Sequence, residues 1–114
     1  MKFERFEDMI VWQKGQELSI LGYRNFCNNK DFTFKNQFLG ACISVTNNIA
    51  EGFERRSNKE FKQFLFISKG SAGEVRNMLY LAKELEYLNE SDYAKLMELC
   101  LSISKMLSAL IKTL

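Results

Sequence analysis

The sequence predicts an all-α fold, an antiparallel up-down-up-down four-helix bundle made by a single domain over residues 1–114. Three observations carry this expectation. The chain has no Pro and only six Gly, so nothing enforces a helix break and the turn chemistry of a many-stranded sheet is missing. Apolar residues recur at steps of three and four, the repeat of a helix with one buried face. Short polar segments separate four such stretches, and short connections set successive helices side by side.

The first stretch runs from about Phe6 to Phe26. Met9, Ile10, Val11 and Trp12 open it, and Leu18, Leu21 and Tyr23 continue it. Gly15 and Gly22 each cost a helix about 1 kcal/mol in propensity, so a second helix is expected to come close at both. Polar Asn28-Asn29-Lys30-Asp31 follows. The second stretch runs from about Phe34 to Glu54, with Phe34, Phe38, Cys42, Val45 and Ile49 as its inner stripe. Gly52 is expected to take the left-handed position that ends it.

Ser57-Asn58-Lys59-Glu60 is an S-x-x-E capping box followed at once by Phe61 and Phe64, so a third helix starts there. Its core stripe is Phe61, Leu65, Ser68, Ala72, Val75, Leu79 and Ala82, and it extends to about Leu88, roughly 42 Å at 1.5 Å per residue. Asn89-Glu90-Ser91-Asp92 offers caps for the fourth helix. Leu96, Leu99, Ile103, Met106, Leu110 and Thr113 mark its inner face, with Cys100, Leu107 and Leu114 beside it. Phe64, Phe66 and Ile67 on the third helix and Leu39 and Ile43 on the second lie outside the main stripes. Helices apolar on more than one face are buried on more than one face, so a homo-oligomer is expected.

Several chemistries are excluded. The chain has no His, which removes the usual general base and the commonest zinc ligand. Its three cysteines, Cys27, Cys42 and Cys100, have no CxxC spacing. Their odd number argues against a disulfide scaffold, and Cys42 and Cys100 fall on apolar stripes, where a thiol behaves as a small hydrophobe. A charged N-terminus with no apolar stretch argues against a signal peptide, and no apolar run is long enough to span a membrane, so a reducing cytoplasm is expected. Gly70-Ser71-Ala72-Gly73 lacks the lysine of a phosphate loop and is expected to let helices approach through small side chains. Glu51 and Glu74 are too few acids for a carboxylate metal site. No catalytic residue, metal or cofactor is therefore expected. Asn47, Asn48 and Glu51 are expected to satisfy buried groups where the second helix turns into the third, with Glu51 pairing Arg55 and Glu51 or Glu54 holding Arg56.

Charge is informative in its placement. The net charge is only +2, yet Arg55, Arg56, Lys59, Lys62, Lys69, Arg76 and Lys83 face only Glu60 and Glu74 within the same stretch, a local net of +5. Lys62, Lys69, Arg76 and Lys83 are each seven apart and share one stripe of the third helix. Cations so placed can contact successive phosphates, which gives salt-sensitive, sequence-independent binding of nucleic acid. A scaffold or adaptor that docks another protein is the alternative reading.

The string Asn48-Ile49-Ala50-Glu51-Gly52, with Arg56-Ser57, Glu60-Phe61, Phe64-Leu65, Gly70-Ser71, Glu74, and Trp12, Gln37 and Ser44 before it, carries a resemblance. The chain resembles, over nearly its whole length, the small bacterial four-helix-bundle family encoded in intervening sequences of 23S ribosomal RNA genes, often labelled a ribosomal protein of that subunit. It also looks like the accessory bundle protein of diversity-generating retroelements. The resemblance implies a bacterial protein, a ring assembly (a homopentamer) and a basic surface able to bind nucleic acid, RNA above all. It departs from the family pattern after Gln37, where Phe38-Leu39-Gly40-Ala41 replaces a common Arg-Ala, so the second helix supplies no cation there.

Overall fold

Oxygen-bearing side chains start three of the four helices. The computed structural model describes residues 3–114, with a one-turn 3-10 segment at Phe6–Asp8 and helices α1 (Ile10–Phe26), α2 (Phe32–Phe53), α3 (Asn58–Glu84) and α4 (Glu90–Lys112). Asp31 Oδ1 accepts from the Phe34 amide at 3.1 Å, Ser57 Oγ from Glu60 at 3.2 Å and Asn89 Oδ1 from Asp92 at 2.7 Å. Each satisfies an amide that the first helical turn leaves free. α1 has no such cap and begins later than its periodicity predicts. Phe6–Asp8 instead forms the 3-10 turn, and Met9 takes an extended conformation with its side chain buried. Phe6 packs edge-on against Trp12 at 5.5 Å and Phe53 at 6.5 Å, which pins this entry segment to the bundle.

The helices pack in sequence order, and α1 closes the bundle against α4. The contacts give the directions. Gly15 meets Thr46 and Val45, while Gly22 meets Cys42 and Phe38, so residue numbers fall on α2 as they rise on α1. Gly52 meets Phe61 and Phe64, and Ser68 and Ser71 bond to Val45 and Ser44, the same opposed order between α2 and α3. Among the described residues the backbones of α1 and α3 do not approach closely, so the two helices occupy opposite corners. The molecule is 42 Å long and about half as wide.

All seven stripe residues of α3 and all five of α2 are buried as their spacing predicts. Gly15 and Gly22 sit where α2 presses on α1, and a Cβ at Gly15 would stand 2.7 Å from Thr46 Cγ2. Four expectations need correction. Gly52 is not a left-handed terminus; no glycine has positive φ among the described residues. Gly52 lies inside α2 because a Cβ there would fall 2.6 Å from Phe64 Cβ and 3.3 Å from the Phe61 carbonyl. Gly70 and Gly73 are the reverse case: a Cβ on either would meet nothing within 4 Å, so only Ser71 and Ala72 of that segment face a neighbour. On α4 the buried row is Leu96, Leu99, Cys100, Ile103, Leu107 and Ile111. Thr113 is exposed because a straight helix drifts about 20° per seven residues from a strict heptad row. Leu39 is buried, not part of a second apolar face.

α3 stops four residues before Leu88. Tyr87 N donates to Ala82 O at 2.9 Å and Glu86 N to Lys83 O at 3.1 Å, the paired bonds of a Schellman ending. Glu86 holds the left-handed position at φ 58°, where glycine is usual and a side chain costs about 1 kcal/mol. Tyr87 offsets that cost. Its ring meets Phe34 at 5.2 Å within a cluster of Phe26, Phe34 and Phe38. Its hydroxyl donates to Asp31 Oδ2 at 2.6 Å, joining the α3–α4 turn to the start of α2.

Candidate nucleic-acid interface

The seven cations named from the sequence divide by what they touch. Arg55, past the end of α2, donates to Glu51 Oε2 at 2.7 Å and lies over the Phe64 ring at 4.9 Å. Lys83 stands 3.7 Å from Glu90 and 4.8 Å over the Tyr93 ring. Helical drift explains Lys83: from Lys62 onward the cationic column rotates about 60° in all, which brings its last member against the start of α4. The other five, Arg56, Lys59, Lys62, Lys69 and Arg76, have no carboxylate at salt-bridge distance among the described residues. Arg56 is thus not held by Glu51 or Glu54 as expected. Arg56 and Lys59 are exposed at the α2–α3 turn, Lys62 and Lys69 lay their stems partly against the protein, and Arg76 is exposed.

The structure therefore brings five unneutralised cations onto one surface, from the turn to the middle of α3, and sets Arg55 and Lys83 apart as partnered ends. Sequence reasoning missed the company these cations keep. Phe66 and Tyr80 are about half exposed on the same side of α3, and the heptad spacing that revealed the cations also locates these rings, seven residues to either side of Gly73.

The polar string around Asn47, Asn48 and Glu51 has a different task. Asn48 Nδ2 donates to Ser44 O at 2.8 Å and to Ser44 Oγ at 3.0 Å. Ser44 Oγ lies 2.7 Å from Ser71 Oγ on α3. Ser68 Oγ donates to Val45 O at 2.8 Å. These bonds satisfy polar groups along the α2–α3 seam rather than at the turn, and Asn47 stays exposed. Glu51 and Glu74, weighed as metal ligands, are both exposed, and Glu51 is taken up by Arg55.

The two buried thiols are poor nucleophiles. Burial pushes Cys42 up to about 12 and Cys100 up to about 11, and Cys100 Sγ donates to Ala72 O at 3.0 Å. A hollow of about 240 Å³ between the N-terminal segment and α4 is lined by Phe3, Met9, Ile10, Val11, Met106 and Leu110, with Asp8 at its edge. It presents one carboxylate and no cation. Among the described residues no helix is long and apolar enough to cross a membrane.

Fold and site together define a class: an all-α four-helix bundle that presents a cationic row along one helix. The particular family follows from comparison. Residues 7–109 match the family described as 23S rRNA-intervening sequence protein, and the chain belongs to it. It is also similar to a crystal structure of a protein of unknown function from the S23 ribosomal protein family of Bacteroides thetaiotaomicron VPI-5482. The TM-score is 0.83 and the identity 27%, over 90% of this chain and 98% of that one. No curated protein matches this chain.

Proposed function

We propose that this chain is a non-enzymatic, self-associating bundle protein of the bacterial cytoplasm that binds nucleic acid, RNA above all, through the basic surface of α3. The observation that carries the reading is the row Lys62, Lys69 and Arg76, three cations on one helix with no carboxylate at salt-bridge distance among the described residues. An unpaired cationic row is a ready partner for phosphates, whose displaced counterions supply the driving force. Arg56 and Lys59 extend it across the turn; Arg55 and Lys83 contribute less because carboxylates already hold them. Self-association, as a homopentamer by family resemblance, is supported by exposed Ile43, Ile67 and Leu81 on α2 and α3. A ring would repeat the row on every subunit, and weak contacts would multiply.

The test is retention of a structured RNA by the full chain and by the triple variant Lys62→Glu, Lys69→Glu, Arg76→Glu. The expected result is loss of retention with helicity unchanged, and a salt dependence flatter by about 2–3 in log–log slope. Retention that survives the triple change, or that ignores added salt, overturns the reading. Sedimentation of the wild type measures the assembly. A scaffold for a protein partner is the second reading, favoured by exposed Ile10, Ile20 and Tyr23 on α1, the corner opposite α3. A stoichiometric protein recovered from nuclease-treated lysate, and lost on Ile20→Glu, supports it.

A further inference from the structure

We infer that the outer face of α3 takes an unpaired RNA strand, with bases stacked on Phe66 and Tyr80 and phosphates on Lys62, Lys69 and Arg76; the inference rests on the nucleic-acid reading above. One seam of the helix presents Lys62, Phe66, Lys69, Gly73, Arg76 and Tyr80 in succession, at alternating steps of four and three. Such steps keep residues on one face. Cations and rings therefore alternate along a single line. Phe66 is 51% exposed and Tyr80 56%, and neither ring pairs with another among the described residues. Between them a Cβ on Gly70 or Gly73 would meet nothing within 4 Å, so the ground between the rings is low backbone open to solvent.

The spacing suits a strand. Seven helical residues rise about 10.5 Å, a span that three nucleotides cover at about 3.4 Å each when stacked and fewer cover when bases splay out. Successive cations thus fall within about three phosphates of one another, and the two rings, about 21 Å apart, meet bases no more than about six steps apart. A duplex buries the faces of its bases in its own stack and leaves Phe66 and Tyr80 unused. An unpaired strand offers both charge and aromatic faces, and such stacking tolerates any base. Other occupants fit less well. A second α3 brings two cationic columns together, and an apolar helix laid over the seam strips water from unpaired charges. An acidic polymer without rings satisfies the cations alone.

The experiment titrates the full chain with an oligouridylate of about 12 nucleotides, within the usual range of single-strand sites, an RNA duplex of equal length, and an inorganic polyphosphate and a polyglutamate of matched charge. The oligouridylate is expected to bind at least tenfold tighter than the other three. The pair Phe66→Leu, Tyr80→Leu is expected to weaken it at least tenfold while the duplex and polyphosphate affinities stay put. The swap Phe66→Tyr, Tyr80→Phe is expected to retain wild-type affinity, which separates stacking from a folding defect. Equal binding of all four probes, or an oligouridylate affinity unmoved by the leucine pair, overturns the stacking inference while the charge reading stands. Tightest binding of polyglutamate assigns the face to an acidic protein and overturns it too. A leucine pair that lowers the sedimented mass assigns the face to a second copy, with the same consequence. No binding of any probe by the wild type sinks both readings.

Discussion

The two faces of α3 share one heptad repeat and oppose one another in chemistry. The inner face, Phe61 through Ala82, is dry, closely packed and satisfied to its last hydroxyl: Ser68 reaches the Val45 carbonyl and Ser71 reaches Ser44. Among the described residues, the outer face, Lys62 through Tyr80, leaves cations without counter-charges, rings without ring partners and glycines without close neighbours. A residue on the first face decides whether the chain folds. A residue on the second touches little of its own chain. The separation arises because helical periodicity assigns every seventh residue to the same side, so packed and exposed residues fall in separate columns of a single segment.

The sharpest test of this division is on the packed side. Phe38→Ala, in the aromatic cluster with Phe26 and Phe34, is expected to cost about 3–5 kcal/mol in denaturant unfolding. Gly52→Ala comes next, at about 2–3 kcal/mol, because its new Cβ meets Phe64 Cβ and backbone that cannot yield. Gly73→Ala makes the contrast: with open space around it, it is expected to stabilise the helix by about 0.5–1 kcal/mol. An equal loss at Gly52 and Gly73 would erase the distinction between the faces. Ser68→Ala, which leaves the Val45 carbonyl with one partner fewer, is expected to cost about 1 kcal/mol. The triple change Lys62→Glu, Lys69→Glu, Arg76→Glu is expected to move stability by no more than about 0.5 kcal/mol per site.

The smallest effect concerns pH. The Tyr87 hydroxyl bond, with help from the Phe34 amide, holds the half-buried Asp31 carboxyl below its ordinary 3.8. The same bond holds Tyr87 above its ordinary 10.0. A carboxyl lowered in the fold contributes stability present above its unfolded value and lost as pH falls through the folded one. A phenol raised in the fold contributes stability present below its unfolded value and lost as pH rises through the folded one. The stability difference between wild type and Tyr87→Phe is therefore expected to be level between those limits and to shrink in strong acid and in strong base. A difference independent of pH would remove the bond between the two turns from the account.

The helices and their inner stripes were legible in the sequence because burial imposes a period, and the period survives in any listing of residues. Ser57 through Glu60 marked the start of α3 for a similarly local reason. What was not legible depends on neighbours distant in the chain. The task of Gly52 is set by Phe64, twelve positions on; the end of α3 is set by Tyr87 reaching back to Asp31. The last turns of α4 follow a straight helix rather than a heptad. The cations of the site were visible as a column, but which of them stay unneutralised was not. Glu51 claims Arg55, as their i,i+4 spacing predicts, but Glu90 claims Lys83 across the α3–α4 turn, which the spacing along α3 does not reveal.

The left-handed residue at the foot of α3 bears on what the helix can hold. Glu86 follows exposed Glu84 at the end of the helix, and Glu90, at the start of α4, already holds Lys83, so the cationic track gives way to carboxylates where the backbone turns. Under the proposed function, a polyanion laid past Arg76 and Tyr80 would meet repulsion there, which would cap its footprint at that end. Reach in the other direction is open, across Lys59 and Arg56 and toward whatever lies next to the α2–α3 turn.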